Sequence, residues 1–170
     1  RTLVRLAHEI LERVPDLQRL ALIGIHRRGV PLARRLAEKI RAIEGHELDV
    51  GSVDVTRYRD DLSVRDAQPV VHQADIPFDV TGRHIMLVDD VLFTGRTARA
   101  AMNAVFDRGR PARVDLLVLI DRGHRELPIE AGYVGRKVPT RRDEQVQVRL
   151  MEIDGEERVT LELFRELPSR

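Results

Sequence analysis

The sequence predicts an α/β fold: a central, mostly parallel sheet with helices on both faces. Three observations predict it. Continuous apolar runs recur at Leu20–Ile25, Ile85–Val88 and Val114–Ile120, as strands buried on both faces require. Segments with apolar residues at helical spacing alternate with them. The 170 residues suit one domain, long enough to bury roughly 70% of its unfolded surface. In such sheets ligands bind beyond the carboxyl ends of the strands.

The elements follow in order. Leu3–Val14 places Leu3, Leu6, Ala7, Ile10, Leu11 and Val14 on one helical stripe, ended by Pro15-Asp16. Leu20–Ile25 is the first strand. Pro31 suits the first turn of a second helix, whose face holds Leu32, Ala33, Leu36, Ala37 and Ile40 and which Gly45 stops. Leu48–Val55 reads as a strand with a bulge at Gly51-Ser52. Arg57–Phe78 has no sustained period, many charges and the prolines Pro69 and Pro77. It reads as a long surface excursion of the kind that forms active-site lids. His84–Val88 is a strand, and Thr97–Asp107 a helix closed by Gly109. Val114–Ile120 is a buried strand. Asp121–Glu144 reads as irregular. Val146–Ile153 and Arg158–Phe164 flank Asp154-Gly155, a hairpin signal. No repeat, low-complexity segment or linker interrupts the chain.

Composition removes several functions. There is no cysteine, so disulfides, zinc ribbons, iron–sulfur clusters and thiol chemistry are excluded. No tryptophan and 4% aromatics argue against an RNA-stacking sheet. No apolar run approaches the ~18 residues of a membrane span, and Arg1–Arg5 lacks the apolar core of a signal peptide. A cytoplasmic protein is expected. Net charge is +1, yet 27 of the 29 basic residues are arginine, Lys39 and Lys137 being the exceptions. Arginine's planar fork suits phosphate, and a balanced total can conceal a basic face. No histidine cluster has metal-ligand spacing. His46, His72 and His84 read as surface residues.

The chemistry lies in Ile85-Met86-Leu87-Val88-Asp89-Asp90-Val91-Leu92-Phe93-Thr94-Gly95-Arg96-Thr97. A buried strand delivers two adjacent carboxylates, then a small-residue turn opens a helix. The turn gathers free backbone N–H groups, two hydroxyls and a helix N-terminus around one point, which suits a single phosphate. It lacks the Gly-Lys-Ser/Thr signature of a P-loop and the three glycines of a Rossmann fingerprint. The paired carboxylates repel. Ribose hydroxyls donating to them, or a divalent cation bridging them, would offset that. An acidic diol-binding pair just before a phosphate cradle describes a ribose 5-phosphate site.

Val88–Thr97 resembles the phosphoribosyl-diphosphate motif of the type I phosphoribosyltransferases. Tyr58-Arg59-Asp60-Asp61-Leu62-Ser63, Asp121-Arg122-Gly123-His124-Arg125-Glu126-Leu127-Pro128 and the stretch from Val134-Gly135 to Pro139-Thr140 resemble the PyrR family. Its members are bifunctional pyrimidine-operon regulators with uracil phosphoribosyltransferase activity. The similarity covers nearly the whole chain.

The resemblance implies a single type I phosphoribosyltransferase domain over residues 1–170, with a flexible loop at about 57–78, a small hood at about 121–144 and a C-terminal β-hairpin. It implies that uracil and phosphoribosyl diphosphate give UMP and diphosphate. Asp89 and Asp90 would hold the ribose hydroxyls. Thr94, Gly95, Arg96 and Thr97 would hold the 5-phosphate, with Val91, Leu92 and Phe93 lining the same turn. Arg27 and Arg28 fall in the diphosphate loop, where Arg28 would grip the leaving group. Arg59 would descend on the diphosphate as the loop closes, excluding water from an oxocarbenium-like centre. Arg122 and Val138 would cover the base. Purine-specific relatives place an acid where Phe93 stands, so Phe93 suits a pyrimidine. Mg²⁺ would bind largely through substrate oxygens, with Asp89 and Asp90 its candidate protein contacts.

The second implied role is recognition of the operon's mRNA leader in response to UMP or UTP, through Arg5, His8, His124, Arg125 and Arg136 across a homodimer or a tetramer of two dimers. Relatives often carry threonine at 27, leucine at 57 and arginine at 130. Arg27 and Arg57 add positive charge near the diphosphate site, and Glu130 removes it from the RNA face. Two alternatives remain: an RNA-binding regulator with negligible catalysis, and a phosphoribosyltransferase for another base without RNA binding. The intact acidic pair and Arg59 oppose the first. Phe93 and His124-Arg125 oppose the second.

Overall fold

Three apolar runs lie at the middle of a sheet because both faces of each are covered. The structure, a computed structural model, describes residues 1–57 and 69–163. In chain order it contains α1 (Thr2–Arg13), β1 (Leu20–Ile25), α2 (Gly29–Glu44), β2 (Asp49–Arg57), β3 (Pro69–Asp75), β4 (His84–Leu92), α3 (Arg96–Phe106), β5 (Arg113–Asp121), β6 (Tyr133–Lys137), β7 (Glu144–Arg149), α4 (Met151–Asp154) and β8 (Arg158–Leu163). The main sheet has the order β3-β2-β1-β4-β5-β6. All its pairings are parallel except β2–β3. β7 and β8 form a separate antiparallel hairpin.

Every residue of β1 is buried. Its side chains alternate between two cores, as a period of two dictates. Leu20 and Leu22 join Met86 and Val88 against Leu6, Ile10, Leu36 and Ile40 of α1 and α2. Ala21, Ile23 and Ile25 join Ile85 and Leu87 against Ala98, Ala101 and Val105 of α3. Each fully buried aliphatic side chain contributes about 1.5–3 kcal/mol relative to exposure. The hairpin adds Val148 and Leu150 to the α1–α2 core, which fixes α4 beside α2.

At Gly29 the helix touches the sheet backbone to backbone. A Cβ there would lie 2.2 Å from the Val88 carbonyl oxygen. Only glycine permits that approach, and it sets the start of α2 beside the strand that carries Asp89.

Four expectations change. Arg57–Phe78 is not wholly irregular: Pro69–Asp75 is an edge strand antiparallel to β2. Its opening proline and its polar His72-Gln73 and Asp75 positions conceal it, since an edge needs no continuous apolar run. Asp121–Glu144 contains β6, where Tyr133 is the only buried side chain. The irregularity in β2 falls between Asp54 and Val55, in its pairing with β3, rather than at Gly51-Ser52. Asp154-Gly155 does not make a two-residue turn. It ends α4, with Gly155 at φ 70°. A left-handed glycine serves both geometries, so the dipeptide alone does not separate them.

Candidate active site

The carboxyl ends of β1, β4 and β5 lie side by side in the sheet and carry the expected site. β4 continues past the predicted Val88 to Leu92, so Asp89 and Asp90 are strand residues. Both are half-buried. The Asp90 N–H donates to Asp89 Oδ1, and the Val91 N–H to Asp90 Oδ1, each at 2.8 Å. Burial first, and then the charge of Asp90, holds the Asp89 carboxyl well above the ordinary range. A site that keeps two such groups together calls for hydroxyl donors or a cation.

The chain then turns through Phe93, Thr94 and Gly95. Gly95 takes φ 93° and caps α3, leaving the N–H groups of the helix's first turn without intrahelical partners. Thr94 is buried and its Oγ1 accepts from the Arg96 N–H at 3.3 Å. The turn is braced from the hood. The Thr94 carbonyl accepts from the Glu126 N–H at 2.9 Å and the Leu127 N–H at 3.3 Å. Arg125 donates to the carbonyls of Phe93 and Ile129, each at 2.8 Å, and to Asp121 Oδ2 at 2.6 Å. Arg96 reaches Glu126 at 3.1 Å. Burial raises Asp121, but the Arg125 hydrogen bond, the Gly123 N–H and the charges of Arg125 and Lys137 outweigh it and leave its carboxyl below the ordinary range.

Phe93 is half-buried at the start of the turn. The Arg122 guanidinium lies 4.0 Å from its ring centroid, within cation–π range. His124 meets the same ring edge-on at 5.9 Å and its Nε2 contacts the Thr140 carbonyl at 2.6 Å. Arg122 is 7% exposed. It donates to the Arg141 carbonyl at 3.0 Å, while its Nε has no partner. Burial pulls its affinity for the proton below the usual value. Val138, expected to cover the base, donates its N–H to the Asp121 carbonyl at 2.9 Å, while its side chain packs against the α1–α2 core.

The loop after β1 supplies Arg27 and Arg28. Arg27 is exposed. Arg28 turns toward α4 and pairs with Asp154, a partner not anticipated because Asp154-Gly155 carries only a turn signal. Arg59 and the Tyr58–Ser63 segment lie outside the described residues.

The five residues expected at an RNA face divide. Arg5 of α1 donates to Glu9 at 2.7 Å and to the carbonyls of Val134 and Gly135. This brings it beside exposed Arg136 on β6, and His8 is exposed on the same helix. His124 and Arg125 sit instead at the Phe93-Thr94-Gly95 turn, with Arg125's side chain 17% exposed. His84 departs from its expected surface place: it is half-buried and meets Asp115 at 2.6 Å. Among the described residues, no cluster of three or more metal-binding side chains exists, and no helix is long and apolar enough to cross a membrane.

An acidic pair on a strand that runs through a glycine turn into a helix N-terminus, at the carboxyl edge of a parallel sheet, is the arrangement expected of a phosphoribosyltransferase. The family model for the phosphoribosyl transferase domain matches residues 2–154. A solved hypoxanthine-guanine phosphoribosyltransferase from Bacillus anthracis superposes with a TM-score of 0.72 at 17% identity, covering 95% of this chain and 90% of that one, a likeness of fold. Two curated relatives are called bifunctional protein PyrR. That of Pelotomaculum thermopropionicum is 58% identical over 161 residues, covering 95% of this chain and 89% of its own. That of a Roseiflexus species is 58% identical over 155 residues, covering 91% and 85%. The chain belongs to the PyrR family of phosphoribosyltransferases.

Proposed function

We propose that this chain converts uracil and phosphoribosyl diphosphate to UMP and diphosphate, and that uridine nucleotides in the same site control its binding to a pyrimidine-operon mRNA leader. The observation that carries the transferase reading is the Asp89–Asp90 pair on the strand that runs into the Phe93-Thr94-Gly95 turn. The ribose 2- and 3-hydroxyls donate to the two carboxylates, and the 5-phosphate accepts from the open N–H groups at the start of α3. Arg96 and Thr97 flank that phosphate. Uracil lies beside the Phe93 ring, whose stacked Arg122 guanidinium would fix the position of that ring.

Diphosphate departs from C1 of the ribose as uracil N1 approaches. Arg27, Arg28 and the descending Arg59 face the negative charge that develops, the kind of stabilisation that accounts for most of such rate enhancements. The oxygen-only acidic pair fits Mg²⁺, which prefers such donors and keeps waters and substrate oxygens. Held largely by phosphoribosyl diphosphate and contacted by Asp89 and Asp90, it would neutralise the leaving group. Uracil N1 gives up its proton comparatively readily, so Phe93 can stand where a base-directed acid is otherwise placed.

For RNA, Arg5, His8 and Arg136 form the exposed part of the proposed face, repeated across a homodimer or a tetramer of two dimers. Arg125 and His124 support it from the phosphate turn, which links nucleotide occupancy to that face. A cytoplasmic location and a single domain over residues 1–170 fit this role.

The test is conversion of labelled uracil to UMP with phosphoribosyl diphosphate and Mg²⁺, beside a panel of other bases. Turnover restricted to uracil is expected. Turnover with a purine, or none with any base, overturns the assignment. His8→Ala with Arg136→Ala should weaken leader binding about tenfold or more while leaving UMP formation unchanged, since phosphate-contacting side chains supply much of the affinity.

A further inference from the structure

Arg28 leaves the diphosphate loop with its side chain already committed to a partner. Its Nε and one terminal nitrogen donate to the two carboxylate oxygens of Asp154, at 3.2 and 2.7 Å. This is the side-on, two-bond geometry that a guanidinium fork allows. The two side chains are 26% and 11% exposed. Asp154 is itself held, since its Oδ2 accepts from the Leu150 N–H at 2.8 Å. Seven residues along α2, about two helical turns, Arg35 pairs with both Glu152 and Glu157. The turn around α4 is therefore fastened to α2 independently of Arg28.

We propose that Asp154 is a positioning residue for the transferase reaction: it holds Arg28 side-on, so that the free end of the fork faces the departing diphosphate. Arg28's second terminal nitrogen has no protein partner among the described residues, and the loop sits where Gly29 packs against the Val88–Asp89 backbone. A loose arginine would surrender its rotamer freedom each time diphosphate bound. An anchored one has already lost it. The C-terminal hairpin thereby becomes part of the active site through one carboxylate on α4. This inference rests on the phosphoribosyltransferase reading of the site.

The experiment combines steady-state kinetics with calorimetric titration of inorganic diphosphate in the presence of Mg²⁺. Asp154→Ala should raise KM for phosphoribosyl diphosphate and Kd for diphosphate about tenfold, the effect of losing one charged hydrogen-bond partner. KM for uracil should stay within about twofold. Asp154→Asn, which keeps one acceptor oxygen, should fall between. Added to Arg28→Ala, Asp154→Ala should change diphosphate binding less than about twofold, because the carboxylate acts only through the arginine. Arg35→Ala removes the ties to Glu152 and Glu157 but leaves Asp154 held by the Leu150 N–H, so it should lower the melting temperature while changing diphosphate binding less than about twofold, which separates positioning from general destabilisation. Additive losses in the double variant, equal losses for both substrates, or tighter diphosphate binding in Asp154→Ala would each overturn the proposal. The titration needs no turnover. Weakened diphosphate binding in a chain that converts no uracil would sink the uracil reading and leave the role of Asp154 intact.

Discussion

The two ends of the central sheet treat buried carboxylates in opposite ways. At the amino end, Asp115 meets the His84 ring at 2.6 Å and Arg113 at 2.9 Å. Burial raises this carboxyl, but the hydrogen bonds from Arg113 and His84 and their charges bring it below its ordinary value. Nearby, Arg83 is spent on the Arg19 and Leu20 carbonyls and on Asp49. At the carboxyl end, burial and Asp90 hold Asp89 well above the ordinary range. One edge pairs its charges and stabilises the fold. The other keeps like charges together at a cost in stability, which is how a site is poised for ligand hydroxyls and a cation. Folding alone would not favour the second arrangement.

The largest expected effect tests the costly edge. Asp89→Asn with Asp90→Asn should lower UMP formation by about 10²-fold or more and leave the melting temperature equal or higher. A parallel loss of both would make the pair structural and break the contrast. The sign of the pH dependence follows from the raised Asp89 value. The folded chain binds that proton more readily than the unfolded one. The unfavourable contribution is therefore absent below the unfolded carboxylate pKa and grows as pH rises through the folded value. Denaturant unfolding from pH 4 to 8 should show this slope in the parent and a flatter one in the double variant.

Next in size is Arg125→Ala, which leaves Asp121 buried without its cation and removes the brace on Phe93. It should destabilise by about 3 kcal/mol, read as a shift in the denaturation midpoint, and reduce turnover as well. Full retention of both would show that Arg125 is free for another role.

A smaller change is expected from Asp115→Asn at the paired edge, about 1–3 kcal/mol of stability, with UMP formation unchanged. Here the depressed carboxyl sets the opposite sign: its stabilisation is present above the unfolded carboxylate pKa and is lost as pH falls through the folded value. The smallest effect is Arg113→Ala. That side chain is largely exposed, so water and salt screen the pair and the melting temperature should barely move. A large loss would mean that Arg113, rather than His84, anchors Asp115.

Much of the site is legible in the chain because it is contiguous. Strand, acidic pair, glycine turn and helix follow one another from Ile85 to Thr97, and each step obeys local rules of burial, φ and helix capping. The buried strands are equally plain, since a run covered on both faces must be apolar throughout. β3 and β6 escape notice because they are edge strands without a continuous apolar run, β3 opening on a proline and β6 alternating with Gly135, Arg136 and Lys137. Asp154 escapes because its dipeptide announces only a turn, and His84 because its charged neighbours in sequence are not its neighbours in space.

The α/β class, the succession of strands and helices along the chain, and the acidic pair ahead of a glycine turn were readable from sequence alone, because local geometry and the demand to bury apolar surface act between near neighbours. Only the tertiary structure decided which charges are spent and which are free. Arg28 meets Asp154 across 126 positions, and Arg125 meets Phe93 across 32. In a chain with 27 arginines, no spacing rule distinguishes the one that braces a turn from the one left on the surface. That assignment depends on which elements the sheet order brings within the ~3 Å reach of a hydrogen bond.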